Sequence, residues 1–582
     1  MTVAGLDEQT AALATADLLV SAGTPTDRRS REHPPGWEIG ASVVALLVYL
    51  AAAAWMYYGM RYEIGDAISR TADARAMLFS RDPHLAAMGF VWLPWPVFAQ
   101  LPAMLILSPL RQAGFSGPLT TAIGGAITVY LVGRMCGVLN VPRRWAIVAT
   151  GIFALNPVVV FTAANGMSEE WFWVGAALSF VYLFRWTAYR RPTDLGRIAI
   201  GGAICAAVRY ESLPFLLIIA LLAAVAGTSP HDVPVGLGRR AWRGLRSESR
   251  RAASIVVTVL LPAVYVLLLW TFAQVVIEGD PFFWLKAQQA AGHTLLHSPW
   301  LPRALTTTSI IGWTLSHVAR ITPAAFLLAV PLVVRRPFRR ALTGLGLLLA
   351  CWFFPVLTAA LLVRGSSSGD PRYLEPGVLF VTVAAIWLMS EIRLGTKWPT
   401  WGARCAICGV LALGAVTATF ALSNPYLSYV EQVNRFFGGI RGLPLSSVTK
   451  GEPAPGPTAW QPIARDVDQH LAGGGRVLID DNVAFALFVY TRYPDHYLIT
   501  ADRDYQSTLS DPSGRFTYVV QVPGSPLSTQ IEGVLTSSSD GTWRLVRKYI
   551  DPNNHQELAE LWQLHPLPTS GGGTVEPGAT AG

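Results

Sequence analysis

Hydrophobic residues come in long blocks along most of this chain, and short polar segments separate the blocks. The blocks are about 20 residues long, the length at which an α-helix crosses the hydrocarbon core of a membrane. We therefore predict a membrane domain over residues 37–423 with eleven spans. The predicted spans are residues 39–60, 119–134, 146–164, 171–184, 197–208, 213–226, 255–277, 318–334, 342–363, 374–389 and 405–422.

An apolar run at residues 93–110 is predicted to lie in the membrane interface instead of crossing the membrane. Pro94, Pro96 and Pro102 interrupt this run. When it is left out of the spans, 20 Arg and Lys residues of the short loops fall on one side and about five on the other. Cytoplasmic loops carry the excess of positive charge. The segment 1–36 is therefore predicted to be cytoplasmic, and everything after Leu422 to be outside.

The pattern changes after the last span, where residues 424–566 alternate between short apolar strands and amphipathic helices. Strands are predicted at residues 476–480, 496–500, 516–520 and 543–546, and helices at 460–471, from residue 482, and at 529–535. This alternation predicts a small extracytoplasmic α/β domain with a largely parallel sheet. Asp480 and Asp481 end the first strand, where they either hold a ligand or cap the next helix. Residues 567–582 are predicted to be a disordered tail.

Composition agrees with this pattern and settles the class of protein. Apolar residues make up 52% of the 582 residues and charged residues only 14%, which predicts a polytopic α-helical protein of the plasma membrane. The net charge of +8 comes mostly from the cytoplasmic loops. It therefore gives no indication of nucleic-acid binding.

Charged side chains gather in five segments that the charge bias places on the outer face of the membrane. They are the loop 61–117 with Asp66, Arg70, Arg75, Asp82 and His84; residues 165–170 with Glu169 and Glu170; Arg209 and Glu211; the loop 278–284; and residues 369–373 with Arg372 and Tyr373. Ionisable groups are costly at a bilayer, so such a collection indicates a functional site. A transporter more typically places charge near the middle of its spans. A site on one face suits a reaction between a lipid-borne substrate and a molecule outside.

Several of these segments carry a resemblance to a known family. They are Gly65-Asp66, Asp82-Pro83-His84, the Pro-rich helix after Trp92, Met167-Ser168-Glu169, Gly279-Asp280-Pro281 and Arg372-Tyr373. In their order and shared face the chain resembles the GT-C glycosyltransferases over residues 37–425. These multi-span enzymes take sugar from a polyprenyl-phosphate carrier and include protein O-mannosyltransferases and lipid A aminoarabinose transferases. The resemblance implies a GT-C-like membrane domain, and the appended outer domain is similar to those of many bacterial members.

The implied reaction needs one catalytic carboxylate, because a phosphate leaving group departs without its own acid, unlike a glycosidic oxygen. Asp66 is predicted to be the general base that takes the proton of the acceptor hydroxyl, in a single displacement that inverts the anomeric centre. The first loop has Gly-Asp-Ala where the family most often has Asp-Glu. The alternative role for Asp66 is to cap the helix after the first span.

Arginines are predicted to hold the carrier phosphate, since a guanidinium makes two parallel hydrogen bonds to it. The candidates are Arg372, then Arg209, with Arg70 and Arg75 as alternatives. Arg70 shares the face of Asp66 if the loop is helical; its alternative role is only to pair with Asp66 or Asp73. Arg209 either holds the phosphate or is bridged to Glu211. The predicted substrate-binding residues are His84, Glu169, Glu170, Glu211 and Tyr373. His84 could instead bond within its own turn, and Glu169 and Glu170 could be the solvated start of a helix.

No cofactor is predicted. His293 and His297 lie four residues apart but have no evident third ligand, so no metal site is assigned. The expected partners are a polyprenyl-phosphate-linked sugar such as mannose or arabinose, an acceptor glycan, lipid or protein, and membrane lipids. The alternatives are a transporter, flippase or assembly protein for lipid-linked glycans, and a ligase that takes a whole glycan from a diphosphate carrier.

Overall fold

The computed structural model describes residues 36–61, 64–228, 248–284, 286, 306–333, 338–365, 371–392, 400–424, 431–443, 459–510, 515–525, 527–537, 541–550 and 557–566. The predicted cytoplasmic segment before Gly36, the predicted tail 567–582 and the His293 and His297 pair lie outside these ranges.

Most of the described chain is helical. The α-helices before the sheet are Trp37–Ala54, Gly65–Phe79, Trp95–Leu107, Ser116–Val138, Arg143–Ala154, Pro157–Ala164, Glu169–Tyr189, Pro192–Val208, Ser212–Thr228, Ser249–Glu278, Thr307–Ile321, Ala324–Leu327, Ala329–Val333, Phe338–Val363, Pro376–Glu391, Thr400–Leu422 and Glu431–Ile440. A π-helical turn, Trp55–Gly59, extends the first helix, and 3₁₀ turns cover Leu85–Met88, Ala113–Phe115 and Pro371–Leu374.

The protein is a polytopic helical membrane protein, as predicted. Within the described ranges, six helices are long and apolar enough to cross a membrane, or seven if the pair Arg143–Ala154 and Pro157–Ala164, bent by 57°, forms one span. The helices Pro192–Val208 and Ser212–Thr228 match predicted spans but have only 17 residues each. The predicted span 318–334 is divided among three helices. The number eleven therefore stays a prediction.

Small residues bring the membrane helices close together. The helices Glu169–Tyr189 and Pro192–Val208 meet at Gly175 and Gly201, and a Cβ atom built on Gly201 would lie 2.6 Å from the carbonyl oxygen of Gly175. Only glycine allows that approach, which is typical of helix packing in membranes. Fully buried aromatic rings then fill the interior. They include Phe172, Phe180, Phe215, Phe354 and Phe380.

The apolar run at 93–110 forms the 13-residue helix Trp95–Leu107. Such a helix is about 20 Å long, whereas the hydrocarbon core is about 30 Å thick. Its buried Gln100 is 2.9 Å from the hydroxyl of Thr71, which donates to it, so this helix packs beside Gly65–Phe79. The length fits the predicted interfacial placement.

The C-terminal part, which we call the sheet domain, comprises the described residues from Trp460 to Pro566. Its strands are β1 (Val477–Ile479), β2 (Tyr497–Leu498), β3 (Tyr518–Gln521), β4 (Gly541–Ile550) and β5 (Glu557–Pro566), in the spatial order β2-β1-β3-β5-β4. Its helices are Trp460–Leu471, Asp481–Tyr490, Tyr505–Ser510 and Ser528–Ser537, with a 3₁₀ turn at Pro494–His496.

The prediction of a largely parallel sheet is wrong. Strand β1 pairs in parallel with β2 and β3, but β5 pairs antiparallel with both β3 and β4. The error arises from β5, which the strand pattern did not single out. A hairpin of β4 and β5 adds an antiparallel half to the sheet.

Two hydrophobic contacts join the C-terminal part of the chain to the membrane helices. One is made by the helix Glu431–Ile440, before the sheet domain, and the other by the sheet domain itself. Phe436 and Phe437, on a helix that the sequence pattern assigned to the outer domain, are buried in the core of the membrane domain. Ile68 and Ala72 of the helix Gly65–Phe79 share a second core with Leu487 and other buried residues of the sheet domain. The helix Gly65–Phe79 therefore lies between the two parts of the molecule.

Candidate functional site

Asp66 lies in the first turn of the helix Gly65–Phe79, which begins soon after the first span. Ile64, with extended backbone angles, precedes the helix, and an acid is favoured at this end because the helix dipole is positive there. Arg372 lies in the 3₁₀ turn directly before the helix Pro376–Glu391. Its Nη1 donates to Oδ2 of Asp66 at 2.7 Å, although 306 positions separate the two residues.

Arg70 stands one helical turn after Asp66, on the same helix, as predicted for a helical loop. Its Nη1 donates to the backbone carbonyl of Asp66 at 2.9 Å, and its guanidinium lies 4.2 Å from the centre of the Trp92 ring. The side chain is buried. A cation over an aromatic face is held there electrostatically, so Trp92 fixes the position of Arg70.

Arg209 occupies the tight connection between the helices Pro192–Val208 and Ser212–Thr228. Its guanidinium contacts Glu169 at 3.4 Å and Glu211 at 3.5 Å. The ring of Tyr373 lies 5.4 Å from the guanidinium carbon of Arg209 and 5.3 Å from that of Arg372. Tyr373 thus connects the Arg209 group to the pair of Asp66 and Arg372.

These contacts define what we call the ionic cluster: Asp66, Arg70, Glu169, Arg209, Glu211, Arg372 and Tyr373. In the described part of the chain, it contains three arginines and three carboxylates. Burial raises the pKa of Asp66, but the positive charges of Arg372 and Arg70 outweigh it, so the pKa lies below its usual value. The Asp66 carboxylate is therefore ionised at neutral pH.

Three predicted site residues lie elsewhere. Glu170 points between membrane helices, where the Thr128 hydroxyl donates to it at 2.7 Å. It faces away from its neighbour Glu169 because successive residues of a helix point in directions about 100° apart. His84 Nδ1 donates to the Asp82 carbonyl at 2.6 Å, within its own turn. Arg75 is bonded to the sheet domain. The geometry gives none of the three a place in the ionic cluster.

An aromatic group beside the cluster was not predicted as part of the site. The Tyr210 ring stacks on Trp284 with 3.7 Å between ring centres, and Trp270 Nε1 donates to the Tyr210 hydroxyl at 2.9 Å. The available signal was the position of Tyr210 between Arg209 and Glu211. Asp280, in the same loop as Trp284, is instead paired with Lys286.

No three His, Cys, Asp or Glu side chains come together to form a metal site among the residues that the structure describes. The expectation that no cofactor is required stays a prediction.

Asp480 at the end of strand β1 caps the following helix. Its Oδ1 accepts from the backbone nitrogen of Asn482 at 3.1 Å. Asp481 accepts from the backbone nitrogen of Thr500 at 2.7 Å. Of the two roles left open for this pair, Asp480 therefore takes the cap.

The fold is similar to known membrane enzymes, although no protein family and no curated protein sequence matches this chain. The crystal structure of ArnT from Cupriavidus metallidurans bound to undecaprenyl phosphate matches with a TM-score of 0.50 and 13% identity, covering 91% of this chain and 98% of that one. Its apo form matches equally well, with a TM-score of 0.50 and 13% identity over 90% and 97% of the two chains.

A weaker likeness, on which no conclusion rests, is to the archaeal oligosaccharyltransferase AglB from Archaeoglobus fulgidus, in complex with an inhibitory peptide and a dolichol-phosphate. Its TM-score is 0.41 and its identity 10%, covering 83% of this chain and 69% of that one. The likeness to ArnT shows the fold alone: this chain shares the overall architecture of ArnT over nearly the whole of both chains.

Proposed function

We propose that this protein is an inverting glycosyltransferase that moves a sugar from a polyprenyl-phosphate carrier to an acceptor hydroxyl outside the membrane. The observation that carries the proposal is the contact of Asp66 with Arg372 inside the ionic cluster. The shared fold supports it, since ArnT was crystallised with undecaprenyl phosphate. The positive-inside bias of the loops supports the outer location.

Asp66 acts as the general base. Its carboxylate is ionised and its side chain is 31% exposed, so it can accept a proton from a hydroxyl that attacks the anomeric carbon. The bond between that carbon and the phosphate oxygen breaks in the same displacement. The bonding electrons leave with the phosphate, and the anomeric centre inverts.

Arg372 holds the phosphate during the displacement. The charge of Arg372 is neutralised by Asp66 in the contact between them. A donor phosphate competes for the same guanidinium, and once Arg372 turns to it, Asp66 loses the contact that lowers its pKa. Donor binding thereby makes Asp66 a stronger base at the moment when a base is needed.

The charge of the ionic cluster suits this reaction. A sugar phosphodiester carries one negative charge, and the departing polyprenyl phosphate gains a second. When Asp66 takes the acceptor proton, the cluster of three arginines and three carboxylates becomes net positive by one. The added positive charge compensates the charge that develops on the phosphate, which is the kind of electrostatic stabilisation that lowers a barrier most.

The test is the transfer of radiolabelled sugar from synthetic polyprenyl-phosphate donors by purified protein in nanodiscs. We expect Asp66→Asn, which removes the base and keeps the shape, to reduce transfer by about a hundredfold or more. The matched control is Asp466→Asn, which breaks an ion pair of equal length, 2.7 Å to Arg547, in the sheet domain. This control is expected to keep wild-type transfer.

Equal transfer by wild type and Asp66→Asn would refute the assignment of the base. Transfer from diphosphate-linked glycans alone would identify a ligase, and no transfer from any donor would favour a transporter or assembly protein. The productive donor would also identify the sugar as a hexose or a pentose.

A further inference from the structure

Arg75 makes a buried polar contact between the two parts of the molecule. Its Nη1 donates to the carbonyl oxygens of Phe488 at 2.6 Å and Val489 at 2.8 Å, and its Nη2 donates to that of Thr491 at 2.9 Å. Its Nε donates to the hydroxyl of Ser108 at 3.1 Å. Only 3% of Arg75 is exposed, so all these bonds form away from water.

The three carbonyls belong to the end of the helix Asp481–Tyr490 and the residue after it. The last four carbonyls of a helix have no partner within the helix, and the negative end of the helix dipole lies there. A buried guanidinium supplies both missing donors and a compensating positive charge. Arg75, which lies outside the sheet domain, thus caps the C-terminal end of the helix Asp481–Tyr490.

The contact acts on the same helix that carries Asp66. Asp66 and Arg75 are nine residues apart on the helix Gly65–Phe79, which is about 14 Å along a helix axis. Ile68 and Ala72, between them, pack into the hydrophobic core shared with Leu487. A helix moves as a rigid body, so holding it at Arg75 restrains the position and rotation of Asp66.

We propose that Arg75 is a positioning residue through which the sheet domain fixes the helix of Asp66 at the reaction site. The inference rests on the proposed function for its catalytic consequence. It gives the sheet domain a defined part in the reaction: the domain holds the base in contact with Arg372, which lies in the turn before the helix Pro376–Glu391.

The variants that test this role are Arg75→Lys and Arg75→Ala. Lysine keeps the charge, but a single ammonium lacks the planar fork that serves three carbonyls and Ser108. The control is Arg503→Ala, which removes an exposed arginine bonded to Asp82 at the same junction. Exposed ion pairs contribute little, so we expect this control to behave as wild type.

Two measurements are made in nanodiscs. Amide hydrogen exchange of residues 65–79, without donor, is expected to accelerate in both Arg75 variants and to stay unchanged in Arg503→Ala. In transfer assays, we expect kcat to fall about tenfold to a hundredfold, as for a misplaced catalytic group. The KM for the donor should change little, because Arg70, Arg209 and Arg372 are untouched.

Unchanged exchange in both Arg75 variants would overturn the inference, whatever their activity. A raised donor KM with unchanged kcat would also overturn it, since that result indicates direct phosphate binding by Arg75. If wild type transfers no sugar from any donor, the proposed function fails, while hydrogen exchange still decides whether Arg75 holds the helix. If Arg75→Ala does not fold, Arg75→Lys carries both measurements.

Discussion

Arg372 faces two anions in the proposed reaction, first Asp66 and then the carrier phosphate. Its Nη1 is 2.7 Å from Oδ2 of Asp66, and its guanidinium also lies over the ring of Tyr373. The guanidinium of Arg372 therefore has a second role besides phosphate binding, because it lowers the pKa of Asp66 beside it. Burial alone would raise the pKa of Asp66, whereas the arginines lower it.

We predict that Arg372→Gln moves the acid limb of the pH profile of kcat/KM to higher pH. The substitution removes a cation that lowers the pKa of Asp66 and leaves the burial that raises it. Since the phosphate also loses a ligand, the rate should fall by about a hundredfold. The measurement is residual transfer as a function of pH, with Arg547→Gln as the control. An acid limb at the wild-type position would contradict the role of Arg372.

At the scale of elements, the helix Asp481–Tyr490 is held at both ends. Asp480 caps its start, and Arg75 serves the carbonyls at its end. At the start of the helix, Asp481 faces Asp73 of the helix Gly65–Phe79. Burial raises the pKa of Asp481 to about 6, with a contribution from Asp480 and against the hydrogen bond from Thr500. Burial and the charge of Asp481 likewise raise the pKa of Asp73 well above its usual value.

From the raised pKa values of Asp73 and Asp481, we predict that the folded protein is more stable in mild acid than at pH 8. The folded pKa of Asp481, about 6, exceeds its ordinary value of 3.8, so folding binds a proton at intermediate pH. The stabilisation is fully present below pH 3.8 and is lost as the pH rises through about 6. The part due to Asp481 amounts to at most about 3 kcal/mol.

The measurement is thermal unfolding in nanodiscs at pH 5 and pH 8, for wild type and Asp481→Asn. We expect the loss of stability between the two pH values to be smaller in Asp481→Asn, because an amide does not titrate. An equal loss in both proteins would show that other groups cause it.

At the scale of the whole molecule, the helix of Asp66 joins the ionic cluster to the sheet domain. The orientation across the membrane stays a prediction from charge, since the Arg and Lys residues of the predicted short loops gather on one side. The proposed function requires that the sheet domain stand on the other side, where the acceptor is.

We predict that alkaline phosphatase fused after Gly582 is active in intact bacterial cells, and that green fluorescent protein fused there is dark. The positive-inside bias predicts that this end lies outside the cytoplasm, where the first reporter folds and the second does not. Fusions after Arg191, in a predicted cytoplasmic loop, should behave in the opposite way. Fluorescence of the C-terminal fusion would show that the C-terminus is cytoplasmic. That result would refute a site on the outer face.

The sequence by itself determined the features that depend on near neighbours. Blocks of apolar residues predicted the membrane helices, the prolines and the charge bias predicted that the run at 93–110 does not cross the membrane, and Asp480 at a strand end was a candidate cap for the next helix. The spacing of four residues predicted that Arg70 shares the face of Asp66 if the loop after the first span is helical. In each case the side chain and its closest neighbours along the chain are sufficient, because helix periodicity and capping are local.

Only the tertiary structure decided which charged groups meet. Asp66 and Arg372 are 306 positions apart, and no local pattern pairs them. Glu169 enters the cluster while Glu170 turns between helices, and Arg70 serves the cluster while Arg75, on the same helix, holds the sheet domain. The antiparallel pairing of β5 was equally unpredictable. Such contacts depend on how distant elements pack, since each charge is buried only where another element supplies its partner.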